Sequence, residues 1–126
     1  SPSSVEDLQP VVGADQILHI QKEVDRVLVE ESLLDYITRL VAATRKHAHV
    51  ELGVSPRGAM GLKNAAQAHA YIEGRDYTIP DDIKQLALPV LTHRMIIQRH
   101  TESLQSQGET AEAILQDILE KIDVPL

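Results

Sequence analysis

The sequence predicts an all-α fold, a small bundle of about four to six helices. Three observations carry that reading. Ala, Leu, Ile and Val recur at three- and four-residue steps through most of the chain, which is the spacing of helix faces. Pro and Gly stand where helices begin and end, at Pro56, Gly74 and Pro80. Phe and Trp are absent and the only aromatic residues are Tyr36, Tyr71 and Tyr77, so the core must be aliphatic. A length of 126 residues suits one domain with a single core.

Residues 1–13 contain Ser and Pro with little periodicity and read as a linker arriving from something upstream, with the helical domain over 14–126. A first helix is predicted from about Asp15 to Val27, capped by Asp15, with Ile17, Ile20, Val24 and Val27 on one face. No Gly or Pro separates it from the next helix. The run Val27 to Val29 is either continuous helix or a short extended break, after which Glu30 and Glu31 suit a new helix start. The second helix, to about His47, is the most regular segment, with Val29, Leu33, Ile37, Leu40, Val41 and Thr44 in its stripe. Arg45, Lys46 and His47 complement its negative end, Lys46 and His47 as solvated residues.

The third helix follows Ser55 and is rich in Ala, which allows close approach to neighbours. Gly74 is its expected stop. Pro80 opens the fourth helix, with Asp81 and Asp82 in the first turn. Ile79 is a poor cap there, and Thr78 stands one place too early. Ile83, Leu86, Ala87, Val90 and Leu91 form its stripe, and Pro89 should kink or end it, leaving Val90 to Arg99 as a bent or separate helix. A polar break over 103–109 precedes a last helix from about Thr110 to Ile122, whose broad apolar face must pack on the domain or on a partner chain. There is no internal repeat.

Composition excludes several functions. The net charge of −7 argues against generic nucleic-acid binding, yet residues 45–100 are net +3 between two flanks of −5 each. A helix-turn-helix reading of Ser55 to Tyr71 has only Arg57 and Lys63 as cations. Without cysteine there is no disulfide or thiolate chemistry, which fits a reducing, cytoplasmic setting. With no initial Met, signal pattern or long apolar run, the chain reads as a soluble piece of a longer protein with no membrane span. The six His residues show no metal spacing, and His69 reads as a partly buried packing residue. No phosphate loop and no nucleophile elbow occur, so no catalytic residue is assigned within this piece.

One stretch stands out, GVSPRGAMG, from Gly53 to Gly61. Ser55 is a good N-cap and Pro56 fits the first helical position. Arg57 then puts a cation against the positive end of the helix dipole. That is mildly unfavourable unless an anion joins it, held by free amides and guanidinium together, or unless a nearby carboxylate pairs with it.

The segments LLDYITRLVAATR and LGVSPRGAMGLKNAAQAHAYIEGRDYTIPDDIKQLALPVLTHR resemble the C-terminal lid of MoxR-type AAA+ ATPases. The likeness runs from Val27 to Arg94 and is strongest from Leu52. The family pattern is similar to G-x-S-P-R, an Ala-rich helix, G-R-x-Y-V-x-P-x-D-V and V-L-x-H-R. Arg45, Gly74, Arg75 and the pair His93-Arg94 also match. Two positions depart from the pattern. Ile79 replaces a usual Thr, weakening a cap. Gly58 stands where Ala is commoner, which should loosen the turn that carries Arg57. Nothing after His100 resembles the family.

The resemblance implies an AAA+ lid-like bundle folded over a nucleotide on an upstream core. Arg57 matches the family's sensor-two arginine, which reaches the ATP γ-phosphate, with Ser55 and Pro56 shaping its helix start. Arg45, Arg75, His93 and Arg94 are candidates for contacts to the core or the next subunit, and Arg75 can also pair with Asp76 or Asp82. ATP and Mg would be bound by the parent protein, and weakly if at all by this piece. Implied partners are its own AAA+ core, neighbouring subunits of a ring, commonly a hexamer, and a client protein in complex assembly or remodelling. The parent would be an ATP hydrolase. The alternative reading is a free-standing helical protein-interaction module with no nucleotide role, motivated by the apolar face of 111–122 and the acidic ends.

Overall fold

A computed structural model describes residues 13–98 and 110–126. The linker expected before Gly13, the expected break at 103–109 and the end of the expected helix at Arg99 lie outside the described residues. Among the described residues the order is α1 (Ala14–Asp25), α2 (Glu31–Lys46), β1 (Val50–Leu52), α3 (Pro56–Ile72), α4 (Pro80–Leu91), a 3₁₀ turn (Thr92–Arg94), β2 (Ile96–Ile97) and α5 (Ala111–Lys121).

The stripe of α2 is the spine of the core. Leu33, Ile37, Leu40, Val41 and Thr44 are buried, and so is Tyr36, which the periodic reading had left out. α3 brings Leu62 and Ala66 against it, and α4 brings Ile83, Ala87 and Leu91. α5 completes the same core with Ile114, Leu115 and Ile118. The apolar face of α5 therefore covers its own bundle, which removes the feature that favoured an interaction module.

α1 differs from expectation. Gly13 is its N-cap and Asp15 lies in its first turn, because the Gly13 N–H is already bonded by the Gln16 side chain at 2.9 Å. None of its residues is buried, and Ile17 and Leu18 are about half exposed. It leans on α3 through polar contacts instead. Tyr71 Oη donates to Glu23 Oε1 at 2.8 Å, and Gln67 Nε2 donates to the carbonyl of Val27, just beyond α1, at 2.9 Å. The break after α1 is real and extended. Leu28 bridges Tyr77 in parallel, with Leu28 N–H on the Asp76 carbonyl and Thr78 N–H on the Leu28 carbonyl, both at 2.9 Å.

α3 ends as Gly74 predicts. Gly74 takes φ +81°, and Arg75 N–H reaches back to the Ala70 carbonyl at 2.9 Å, closing the last turn. α4 runs through Pro89, whose missing N–H leaves the Gln85 carbonyl without its helical donor, and stops two residues later at Leu91. The helix expected over Val90–Arg99 is not formed. After the 3₁₀ turn the chain straightens, and Ile96–Ile97 pairs antiparallel with β1, Val50 opposite Ile97 and Leu52 opposite Ile96. Strands this short leave no periodic signal. Their β-branched residues gain stability only once α2 and α4 bring them together.

His47 also departs from the solvated role expected of it. It caps α2 in extended backbone, is largely buried, and sets Nε2 3.5 Å from Asp117 of α5. Its Nδ1 accepts the His49 N–H at 3.1 Å.

Candidate functional site

The start of α3 is fixed before any side chain of function is considered. Thr44, in the last turn of α2, donates its hydroxyl to the Val41 carbonyl at 2.6 Å and accepts the Val54 N–H at 3.0 Å. Arg45 Nε donates to the Val54 carbonyl at 3.2 Å. Both polar groups of the Val54 peptide are thus tied to α2, and the Val54 side chain is fully buried. Gly53 lies flat on Arg45, where a Cβ would come within 2.7 Å of its side chain and 2.8 Å of its backbone. Only glycine lets the loop approach that closely.

Ser55 then caps α3, its hydroxyl accepting the Gly58 N–H at 3.3 Å, and Pro56 takes the first helical position. Gly58 does not loosen this turn as the sequence suggested. It is buried, and a Cβ there would stand 2.5 Å from Val54 Cγ1 and 3.2 Å from Arg94 Cδ. The small residue makes room for two neighbours that brace the turn.

Arg57 projects from this braced start and is exposed. The first turn of α3 holds no acidic residue. Among the described residues Arg57 has no hydrogen-bond or ion-pair partner, so the paired-carboxylate explanation finds no support there. An exposed guanidinium at the positive end of a helix is relieved by an anion, a phosphate group above all.

Of the other candidates, Arg45 and Arg94 belong to the same end of the molecule. Arg94 is exposed on the 3₁₀ turn, and its side chain runs along the two-glycine face of α3. His93 is exposed on the same turn. Between α2 and α3, beside Arg45, an apolar groove of about 500 Å³ is lined by Leu34, Val41, Ala59 and Met60, with Lys63 at its edge.

Arg75 is not part of this constellation. It follows the far end of α3, roughly 25 Å from Arg57 by helix length. There it holds Asp82, as one of the two partners expected for it. Burial pushes the Asp82 carboxyl up, but hydrogen bonds from Arg75, the Ile79 N–H and His69 outweigh it and hold the group down to about 2. His69 Nδ1 lies 2.7 Å from Asp82 Oδ1, so its packing role has a polar purpose. The Ile79 N–H donates to Asp82 Oδ2 at 2.7 Å, which makes good the poor cap at Ile79.

Sequence reasoning named Thr44, Gly53, Gly58 and Gly61 but missed what they do at the site. Thr44 looked like one more stripe position. The glycines carried a faint signal, since Gly58 and Gly61 are three apart and share a helix face. Among the described residues there is no group of three or more acidic or His side chains placed to hold a metal ion, and no helix long and apolar enough to cross a membrane.

Comparison with known proteins agrees with the fold. The AAA lid domain family matches residues 42–118, which corrects the expectation that nothing after His100 resembles that family. The chain is 43% identical to an uncharacterized Bacillus subtilis protein, YeaC, over 97% of this chain and 37% of that one. It is 29% identical to chaperone MoxR1 of Mycobacterium tuberculosis over 91% of this chain and 32% of that one. A Cytophaga hutchinsonii crystal structure, provisionally assigned as an ATPase, superposes with a TM-score of 0.83 at 32% identity over 94% of this chain and 38% of that one. The chain spans about a third of the length of these curated relatives.

Proposed function

Because the chain belongs to the AAA lid domain family, as the lid of a MoxR-type AAA+ ATPase, we propose that Arg57 is its sensor-two arginine. In this reading residues 14–126 close over a nucleotide carried by an upstream AAA+ core, and 1–13 lead in from that core. The observation that carries it is the unpartnered Arg57 on a rigid, acid-free helix start. That arrangement fits the terminal phosphate of ATP, and Mg fits the core's side of the same site.

ATP supplies the phosphoryl bond whose cleavage drives the machine. This chain's residues supply recognition. Ser55 and Pro56 hold the first turn, and Thr44 and Arg45 hold the loop before it, so Arg57 is presented without rearrangement. A cation in that position favours the closed ATP-bound state only by what it gains from the third phosphate. One charge-assisted contact of this kind is worth on the order of 1.5–3 kcal/mol. The lid's movement would be passed around a cytoplasmic ring, a hexamer, to remodel or assemble a client protein. MoxR1 of M. tuberculosis, a chaperone by name, supports that coarse role.

The test is Arg57→Ala in the full-length protein. The expected result is weaker ATP binding and slower hydrolysis with ADP affinity little changed. ATP affinity and turnover both at wild-type level would overturn the assignment.

A further inference from the structure

We infer that Arg94 is a second phosphate-binding cation of the Arg57 site, held in place by a groove that Gly58 and Gly61 leave open along α3. This rests on the reading of Arg57 given above and goes beyond it by adding a residue from a different element.

Three observations carry it. Arg94 Cδ would lie 3.2 Å from a Cβ on Gly58, and Arg94 Nη2 would lie 3.8 Å from a Cβ on Gly61. The stem of Arg94 therefore runs beside the helix from its first turn, and its guanidinium ends beside Gly61. Gly61 is four residues after Arg57, and positions four apart share one helix face. The Arg94 guanidinium thus lies on the side of α3 from which Arg57 springs.

That face has no visible counter-charge. The first turn of α3 has no acidic residue, and among the described residues neither arginine has a hydrogen-bond or ion-pair partner. By contrast Arg39 and Arg75, elsewhere in the bundle, are each paired with a carboxylate. Two like charges on one face repel, and a polyanion relieves both together. The 3₁₀ turn is anchored for this purpose. Met95 is buried just after it, and the Thr92 hydroxyl donates to the Leu88 carbonyl just before it. Arg94 can then turn outward without losing its place. α4 packs on α3 and the turn packs on α4, so both cations belong to one packed unit.

The substrate class is a nucleoside triphosphate, and the two cations share its terminal phosphates. The test uses the full-length protein, with fluorescent ATP and ADP analogues titrated in the presence of Mg. Arg94→Gln keeps the stem against Gly58 and removes the charge, and Arg94→Lys restores a charge without the fork. The expected result is about a tenfold loss of ATP affinity in Arg94→Gln, a smaller loss for ADP, and partial recovery in Arg94→Lys. The Arg57→Ala, Arg94→Gln double variant should lose less than the product of the two single effects, because both contact one anion.

Wild-type ATP affinity in Arg94→Gln beside impaired Arg57→Ala would overturn the inference and leave the sensor-two reading standing. Wild-type affinity in both would overturn the sensor-two reading as well. An equal loss for ATP and ADP, or lost ring assembly with ATP affinity retained, would assign Arg94 to structure instead and also overturn it. Helicity and urea midpoints of each variant identify a folding defect, which counts with the structural outcome.

Discussion

Arg75 holds both carboxylate oxygens of Asp82, Nη1 on Oδ2 at 2.8 Å and Nη2 on Oδ1 at 2.6 Å, and the Asp82 side chain is completely buried. The pair joins the loop after α3 to the first turn of α4. His69 and the Ile79 N–H complete the ring of donors. Those contacts lock α3 to α4 at one end, while the candidate phosphate site lies at the other. Any force on Arg57 is therefore delivered to a pair of helices, not to one.

Replacing Asp82 with Asn should cost about 2–3 kcal/mol at neutral pH, since it removes the acceptor of a bidentate charged pair. The effect has a pH signature. The Asp82 carboxyl lies near 2 in the folded protein against an ordinary 3.8, so its contribution is present above 3.8 and is lost as pH falls from there toward 2. Urea unfolding at pH 7 and at pH 2.5, followed by circular dichroism, should show the gap between wild type and Asp82→Asn closing in acid. A gap that does not change with pH would show that Asp82 stabilises through packing alone.

Gly58 and Gly61 should respond to Ala in opposite directions. Ala in a helix interior ordinarily gains up to about 1 kcal/mol over Gly. At Gly61 the added methyl meets atoms no closer than 3.8 Å, so the gain should survive. At Gly58 it meets Val54 Cγ1 at 2.5 Å, and overpacking of that kind costs about 1–3 kcal/mol. Thermal unfolding midpoints of the two variants give the comparison directly.

Tyr36→Phe should leave stability unchanged or raise it by up to about 1 kcal/mol. The Tyr36 hydroxyl is buried with no hydrogen-bond partner among the described residues, and burial already pushes its pKa upward. Removing an unsatisfied polar atom while keeping the ring's shape loses nothing that the fold uses. A clear loss of stability on denaturant titration would reveal a partner for the hydroxyl.

Ile114→Asp should be severe, at least about 3 kcal/mol, because it places an unpaired charge among buried aliphatic side chains. Ile114 is only 2% exposed on the face of α5 that closes the core. The expected readout is lost helicity or a much lower unfolding midpoint. An intact monomeric fold, altered only in self-association, would mean that α5 serves a partner instead.

The helices themselves were legible in the sequence. Periodicity set α2, Ser55-Pro56 set the start of α3, Gly74 its end and Pro80 the start of α4, because caps and stripes act over a few neighbouring residues. The resemblance that led to the lid family also rested on short local motifs. So did the singling out of Arg57, whose oddness is visible from its position in the first turn alone.

What the tertiary structure alone decided is how distant residues share one place. Ile96–Ile97 became a strand because β1 was there to pair with it. Ile17 and Ile20 kept their common face but are not buried in the core. Gly58 reads in sequence as a weak helix residue, and becomes necessary only where Val54 and Arg94 press on it. Arg94 reaches the first turn of α3 across 36 residues of chain, where its Cδ would lie 3.2 Å from a Cβ on Gly58. Caps and periods follow from local backbone chemistry, which a sequence displays. Close approach depends on the volumes of residues far apart in the chain, and only the folded packing brings them together.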